Sequence, residues 1–223
     1  FGQHAKDEHA MPSEQLIVEN MVVDTALRRD LVARILATGL PDSPAVPWNE
    51  IGNVAISDGS DRKLFVRHAA DAILMDQARN VVLITRRHPP GAGLLAIPGG
   101  FLDIVDEEFE DVASAARREL LEETGITESI IAGAKLIGIG RRRYDRPFDL
   151  RIAWHDFAGT AVRQGDIFMV STQPVYFCVD KTLAKVKLNA GDDAAAACVM
   201  NISEIEADKL GIPDQYAMLR EAP

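Results

Sequence analysis

"GGFLDIVDEEFEDVASAARRELLEETGI", residues 99–126, crowds acidic side chains into one short run that ends on a glycine. Its inner part, "FEDVASAARRELLEET", is long enough for a helix. Each helical residue advances about 100°, so with Glu119 at zero Glu123 falls near roughly +40° and Glu122 near roughly −60°. All three carboxylates therefore share one sector. Phe109, Ala113, Ala116 and Leu120 fall on the neighbouring sector and form the expected buried stripe. At neutral pH carboxyls with a reference pKa near ~4.3 are ionised, and a like-charge pair four residues apart costs only about 0.2–0.5 kcal/mol. A solvated acidic face could carry that cost, so the three glutamates alone do not define a site. The flanking pattern adds to them: a Pro98-Gly99-Gly100 turn follows an apolar strand, and Gly125 stands where a left-handed helix end favours glycine.

With Arg118 included, this pattern resembles the Nudix hydrolase family, whose box reads G-x5-E-x7-R-E-U-x-E-E-x-G-U with U aliphatic. Glu110, Arg118, Glu119, Leu120, Glu122, Glu123, Gly125 and Ile126 match the second half at every specified position. The first half departs from it: the box glycine would fall on Ile104, and Gly100 is the counterpart, with four extra residues in the loop. The resemblance implies an α/β fold, a Nudix α/β/α sandwich with a mixed β-sheet. It also implies a Mg²⁺ site, for which Mn²⁺ could substitute. Magnesium prefers oxygen donors and is usually held by one or two carboxylates together with substrate phosphates. By resemblance, Glu119 and Glu123 are the main metal ligands, Glu122 assists directly or through water, and a Gly99 or Gly100 carbonyl completes the sphere. Glu110 and Arg118 are expected to brace loop and helix.

The implied reaction is hydrolysis of a nucleoside diphosphate joined to a group X, with water as nucleophile and divalent ions neutralising the developing charge. Asp192 or Asp193 in "NAGDDA" could supply the base, although either also reads as a turn residue before a strand. The box handles only the diphosphate, so specificity must come from elsewhere. "TRRHPPGAGLLAIPGGFLD", "YDRPFDLR" and "GDDA" look like ADP-ribose pyrophosphatases, in particular the Nudix domains fused to nicotinamide mononucleotide adenylyltransferases. The Arg-Gly that often follows the last of these motifs is missing here. The expected reaction is ADP-ribose to AMP and ribose 5-phosphate. Dinucleoside polyphosphates or NADH are the alternative substrates, the former suggested by Tyr144 some eighteen residues past the box. A non-catalytic ADP-ribose sensor is a further alternative, which the complete set of glutamates disfavours. Arg86 and Arg87, at a strand end, could bind phosphate or ribose, one of the two facing the site. Arg141 to Arg143 form a second basic cluster, and Tyr144 or Phe148 could stack on adenine. "GAGLLA", residues 91–96, fits a dinucleotide fingerprint formally, but prolines on both sides deny it the strand and helix it needs.

Around this centre, short apolar runs such as "KLFVRHAADAILM", "NVVLITRR", "AKLIGIGRR", "LRIAWHDF", "QPVYFCVD" and "AACVMNI" read as strands. Two short helices are expected near 203–210 and 214–222. Residues 1–10 lack an initiator Met and are set aside from fold reasoning as added or trimmed chain. Residues 11–60 read as an N-terminal extension with an amphipathic helix over 24–39 and a proline-rich connection, and 61–223 as the hydrolase domain. The net charge of −10 argues against nucleic-acid backbones as partners. No apolar run nears the ~18 residues of a membrane span, and no secretory segment opens the chain, so cytoplasm is expected. Cys178 and Cys198, in apolar contexts, are expected to be buried free thiols, with a disulfide the lesser alternative. A homodimer is expected from the resemblance alone.

Overall fold

The structure is a computed structural model describing residues 20–21, 49–55, 61–88, 91–106, 108–144, 148–149, 166–191 and 194–223. The leading ten residues, the expected helix over 24–39, the strand expected near 150–157, and Asp192 and Asp193 lie outside them. In chain order the elements are β1 (Asn20–Met21), β2 (Asn49–Ala55), β3 (Asp61–Asp76), β4 (Asn80–Arg86), β5 (Leu95–Ala96), β6 (Gly99–Phe101), β7 (Ile104–Val105) and β8 (Glu108–Phe109). Then come α1 (Val112–Thr124), α2 (Glu128–Gly133), β9 (Lys135–Ile139), β10 (Arg143–Tyr144), β11 (Phe148–Asp149), β12 (Ile167–Val179), β13 (Ala194–Asn201) and α3 (Asp214–Arg220).

The sheet is mixed. β12 lies parallel to β3 from Ile167↔Leu64 to Val179↔Asp76. β2, β4 and β6 pair antiparallel with β3, and β9, β10 and β11 antiparallel with β12. Alternation along β3 assigns its side chains to two layers, as a pleated strand buried on both faces requires. Ala70, Ala72 and Leu74 join Val175, Phe177 and Val179 of β12 beneath Ala115, Ala116 and Leu120 of α1. Ile73 and Met75 face the opposite way, packing with Val81, Leu83 and Tyr176 against Leu210, Met218 and Leu219. Helices thus cover both faces, the α/β/α arrangement that the box implied.

Two expectations about elements need correction. Phe109 precedes α1 instead of lying on it, because Asp111 caps the helix: its carboxylate accepts from the Ala113 and Ser114 amides at 3.1 and 3.0 Å. The buried side of α1 runs through Ala115, Ala116, Glu119, Leu120 and Glu123, while Ala113 is half-buried. The region 203–210 forms two 3₁₀ turns, Ile202–Glu204 and Ala207–Lys209, and only the last expected helix is α-helical. "GAGLLA" forms the tight connection between β4 and β5, where the Gly93 amide donates to the Arg86 carbonyl (2.9 Å). Cys178 and Cys198 are free thiols, each half-buried. Among the described residues no helix is long and apolar enough to cross a membrane.

Candidate active site

The site forms where the β6 backbone meets the acidic side of α1. Gly100 stands so close to the Glu119 carboxylate that a β-carbon at this position would overlap both of its oxygens. Gly99 donates its amide to Glu123 Oε2 at 2.9 Å. Glu119 and Glu123 are 7% and 5% exposed, and Glu122 points outward with its side chain 46% exposed. One helical turn therefore sorts three similar residues: two are pressed against the glycine backbone and one faces solvent.

Arg118 neutralises part of this charge. Its guanidinium meets Glu110 at 2.9 Å, Glu119 at 2.7 Å and Glu122 at 3.2 Å, and donates to the Phe101 carbonyl at 3.0 Å. Burial works against its positive charge, but the Glu110 and Glu119 carboxylates outweigh that and push its pKa up. Arg118 thus ties the loop after β6 to the helix. The lengthened loop between Gly100 and Glu110 contains the β7–β8 ribbon, Ile104↔Phe109 and Val105↔Glu108. The ribbon closes where the Glu110 amide donates to the Asp103 carbonyl at 2.8 Å. The insertion is therefore extruded as a hairpin, and Glu110 returns to Arg118.

Asp71 was not anticipated from the sequence. It lies in β3 opposite Gly99, 8% exposed, and accepts from the Gln215 side-chain amide at 2.9 Å. Burial raises its carboxyl to about 7, against the Gln215 hydrogen bond and the Arg86 charge. Burial also pushes Glu123 up to about 8; the Gly99 amide and Arg86 oppose this, while Glu119 and Asp71 add repulsion. A lone Asp in the otherwise apolar run "AADAILM" was the available signal. Nothing local marked Gln215.

Of the two strand-end arginines, Arg86 bears electrostatically on Glu123 and Asp71. Arg87 donates to the Ala194 carbonyl at 2.8 Å, fixing the start of β13. The cluster at 141–143 is engaged elsewhere. Arg142 donates to His68 Nδ1 (3.0 Å), Ser171 Oγ (3.0 Å) and Gln173 (3.1 Å), and Arg143 meets Glu221 at 2.5 Å. His68 is lowered to about 4, by burial first and then by the Arg142 charge. Tyr144 and Phe148 sit in β10 and β11, opposite Ser171 and Phe168.

The donor set fits a hard divalent cation. Two buried carboxylates lie against the β6 glycine backbone, and one of them, Glu123, holds its proton tightly, because of burial first and the Glu119 charge in addition; a cation would offset both. Among the described residues no three His, Cys, Asp or Glu side chains converge as a complete metal cage. Magnesium does not need one when substrate phosphates and waters complete the shell.

A mixed sheet between helices, with a glycine turn on β6 facing a capped glutamate helix, is the frame in which the box described above is set. The family model of the NUDIX domain matches residues 66–222, and the chain belongs to the Nudix family. Among solved structures it is similar to a bifunctional NMN adenylyltransferase/ADP ribose pyrophosphatase from Francisella tularensis (27% identity, TM-score 0.43). That similarity covers 69% of this chain and 39% of that one, so the chain spans well under half the length of this relative. A C. elegans Ap4A hydrolase is similar at 14% identity, TM-score 0.45, covering 69% of this chain and 92% of that one. The Nudix domain of Shewanella oneidensis NrtR, solved with ADP ribose, is similar at 16% identity, TM-score 0.40, covering 69% and 86%. No curated protein matches the chain.

Proposed function

We propose that the chain hydrolyses ADP-ribose to AMP and ribose 5-phosphate with a divalent cation, Mg²⁺ or Mn²⁺. The observation that carries the catalytic reading is the pair Glu119 and Glu123, buried against the Gly99-Gly100 backbone. These carboxylates, with a β6 carbonyl, would hold the metal, which when bound polarises the diphosphate and neutralises its developing charge. Glu122, on the outer side of the helix, would assist directly or through a water. Arg118 keeps Glu119 oriented, and Arg86 adds positive charge at the same edge for an anionic substrate. A water attacks one phosphorus, the bridging P–O bond breaks, and its electron pair leaves on the other phosphate. The water's proton passes to a carboxylate, for which Asp193 is the proposed base, with Asp192 beside it at the substrate.

The ADP-ribose assignment rests on the stretches around 85–103, 144–151 and 191–194, which resemble the pyrophosphatases for that substrate. Tyr144 and Phe148 are the proposed adenine contacts, with Arg86, the strand-end arginine that bears on Glu123, at ribose or phosphate. Assay of ADP-ribose, NADH and diadenosine tetraphosphate with Mg²⁺, reading AMP release, tests the assignment. ADP-ribose should turn over fastest. Faster cleavage of the dinucleotides would replace the substrate but keep the chemistry, and ADP-ribose binding without any turnover would make the chain a sensor.

A further inference from the structure

Gln215 is 1% exposed on α3, a helix whose other buried residues, Met218 and Leu219, pack as ordinary apolar side chains. An apolar residue of similar volume would suit that environment; a primary amide is costly there unless it is fully bonded. Gln215 is bonded on both sides. Its Oε1 accepts the Ile97 backbone amide at 3.0 Å, and its Nε2 donates to Asp71 Oδ2 at 2.9 Å. Both partners belong to the frame of the glycine turn. Ile97 immediately precedes Pro98, and Asp71 is the register partner of Gly99. Next to Asp71, the Ala72 amide donates to the Pro98 carbonyl at 2.8 Å. The Pro98–Gly99 peptide is thus held at its oxygen by β3 and at its nitrogen by Glu123.

We infer that Gln215 and Asp71 are positioning residues that clamp the Ile97–Gly99 turn from the α3 side, setting where its backbone and Glu123 meet a divalent cation. The inference rests on the metal-site reading above. A side chain that reaches a metal ligand only through another group still matters to the site, because outer partners fix ligand orientation and their loss commonly costs about 10–100-fold in metal affinity or activity. The clamp also links the C-terminal helix to chemistry conducted on the opposite face of the sheet. It explains why one polar residue interrupts the apolar side of α3.

The test is Mn²⁺ titration of the substrate-free full chain, followed by electron paramagnetic resonance, for wild type, Gln215→Met and Glu119→Gln. Gln215→Met keeps length and approximate volume while removing the side-chain hydrogen bonds to Ile97 and Asp71. Its Mn²⁺ dissociation constant should rise about tenfold and kcat should fall in step, with KM at saturating metal within about twofold of wild type. Unchanged Mn²⁺ affinity in Gln215→Met, alongside clear weakening in Glu119→Gln, would overturn the clamp alone and leave Gln215 as packing, whatever happens to Tm. A flat wild-type titration would remove the metal-site reading and the clamp together. Should the variant fail to fold, wild-type NMR with Mg²⁺ decides. The Gln215 side-chain amide and the Ile97 amide should shift with the midpoint of Gly99, and their standing still while Gly99 moves would overturn the clamp.

Discussion

Glu119 and Glu123 differ from Glu122 only in which way a helical turn points them, and that difference carries the proposed chemistry. Glu123→Gln keeps the shape and can still accept the Gly99 amide, but it removes the charge. Turnover with Mg²⁺ should fall at least about a hundredfold, equivalent to about 2.7 kcal/mol in the barrier, with the far-ultraviolet circular dichroism unchanged. The same carboxyl predicts a pH dependence. Glu123 and Asp71 bind protons more tightly in the fold, at about 8 and about 7, than their ordinary values of 4.5 and 3.8. The stability this contributes is fully present below about 4 and is lost as pH rises through about 7 and then about 8. Metal-free protein should therefore melt at a lower temperature at pH 8.5 than at pH 6, and Glu123→Gln should flatten that slope. An unchanged slope in the variant would show that Glu123 is not the group responsible.

The helix that carries these residues is bounded by local chemistry. Asp111 satisfies two amides at its start, and Gly125 ends it at φ +58° with its amide on the Leu121 carbonyl. A β-carbon on Gly125 would stand 2.6 Å from the Asn189 carbonyl oxygen, so replacement meets both a left-handed backbone and a neighbour. Gly125→Ala should cost about 1–2 kcal/mol or more, and Asp111→Ala about 1 kcal/mol, read as shifts of the urea midpoint. Gly125 was legible in the sequence as the helix end, because a left-handed cap favours glycine, whereas Asp111 falls inside the expected helix and only the structure shows it as the cap. The β7–β8 ribbon was not legible either. Four extra residues mark an insertion, but whether they loop out or pair depends on Arg118 holding Glu110 from eight residues away. The expected helix over 203–210 is instead two 3₁₀ turns, and its end is drawn to a strand far away in the sequence: Leu210 bridges to Leu95, and the Gly211 amide donates to the Leu95 carbonyl at 2.8 Å.

For the molecule as a whole, the sheet separates a core under α1 from a core under α3, and the site lies where β6, α1 and the α3 clamp converge. A cation held only by the folded chain stabilises it by mass action, about 2.7 kcal/mol at a hundred times its dissociation constant. Mg²⁺ should therefore raise Tm in wild type and leave Glu119→Gln almost unmoved, as differential scanning fluorimetry would show. A rise of equal size in both would place the stabilising cation elsewhere. Asp76 offers a contrast away from the site. It is 3% exposed and accepts from the Ala78, Asn80 and Leu183 amides at 2.9 Å each, holding the β3–β4 turn against the segment after β12. Its removal should lower stability without altering metal affinity.

The sequence by itself determined the spacing of the glutamates, the glycine that ends their helix, the apolar strands among the described residues and the family. All of these are written in periodicities and short patterns that need no distant partner. Only the tertiary structure decided which two glutamates are buried, that Arg87 and Arg142 bind within the fold, that β12 lies parallel to β3, and that Asp71 meets Gln215 from 144 positions away. Burial and pairing across such distances depend on which surfaces come to cover one another, and no local rule of helix or strand specifies that.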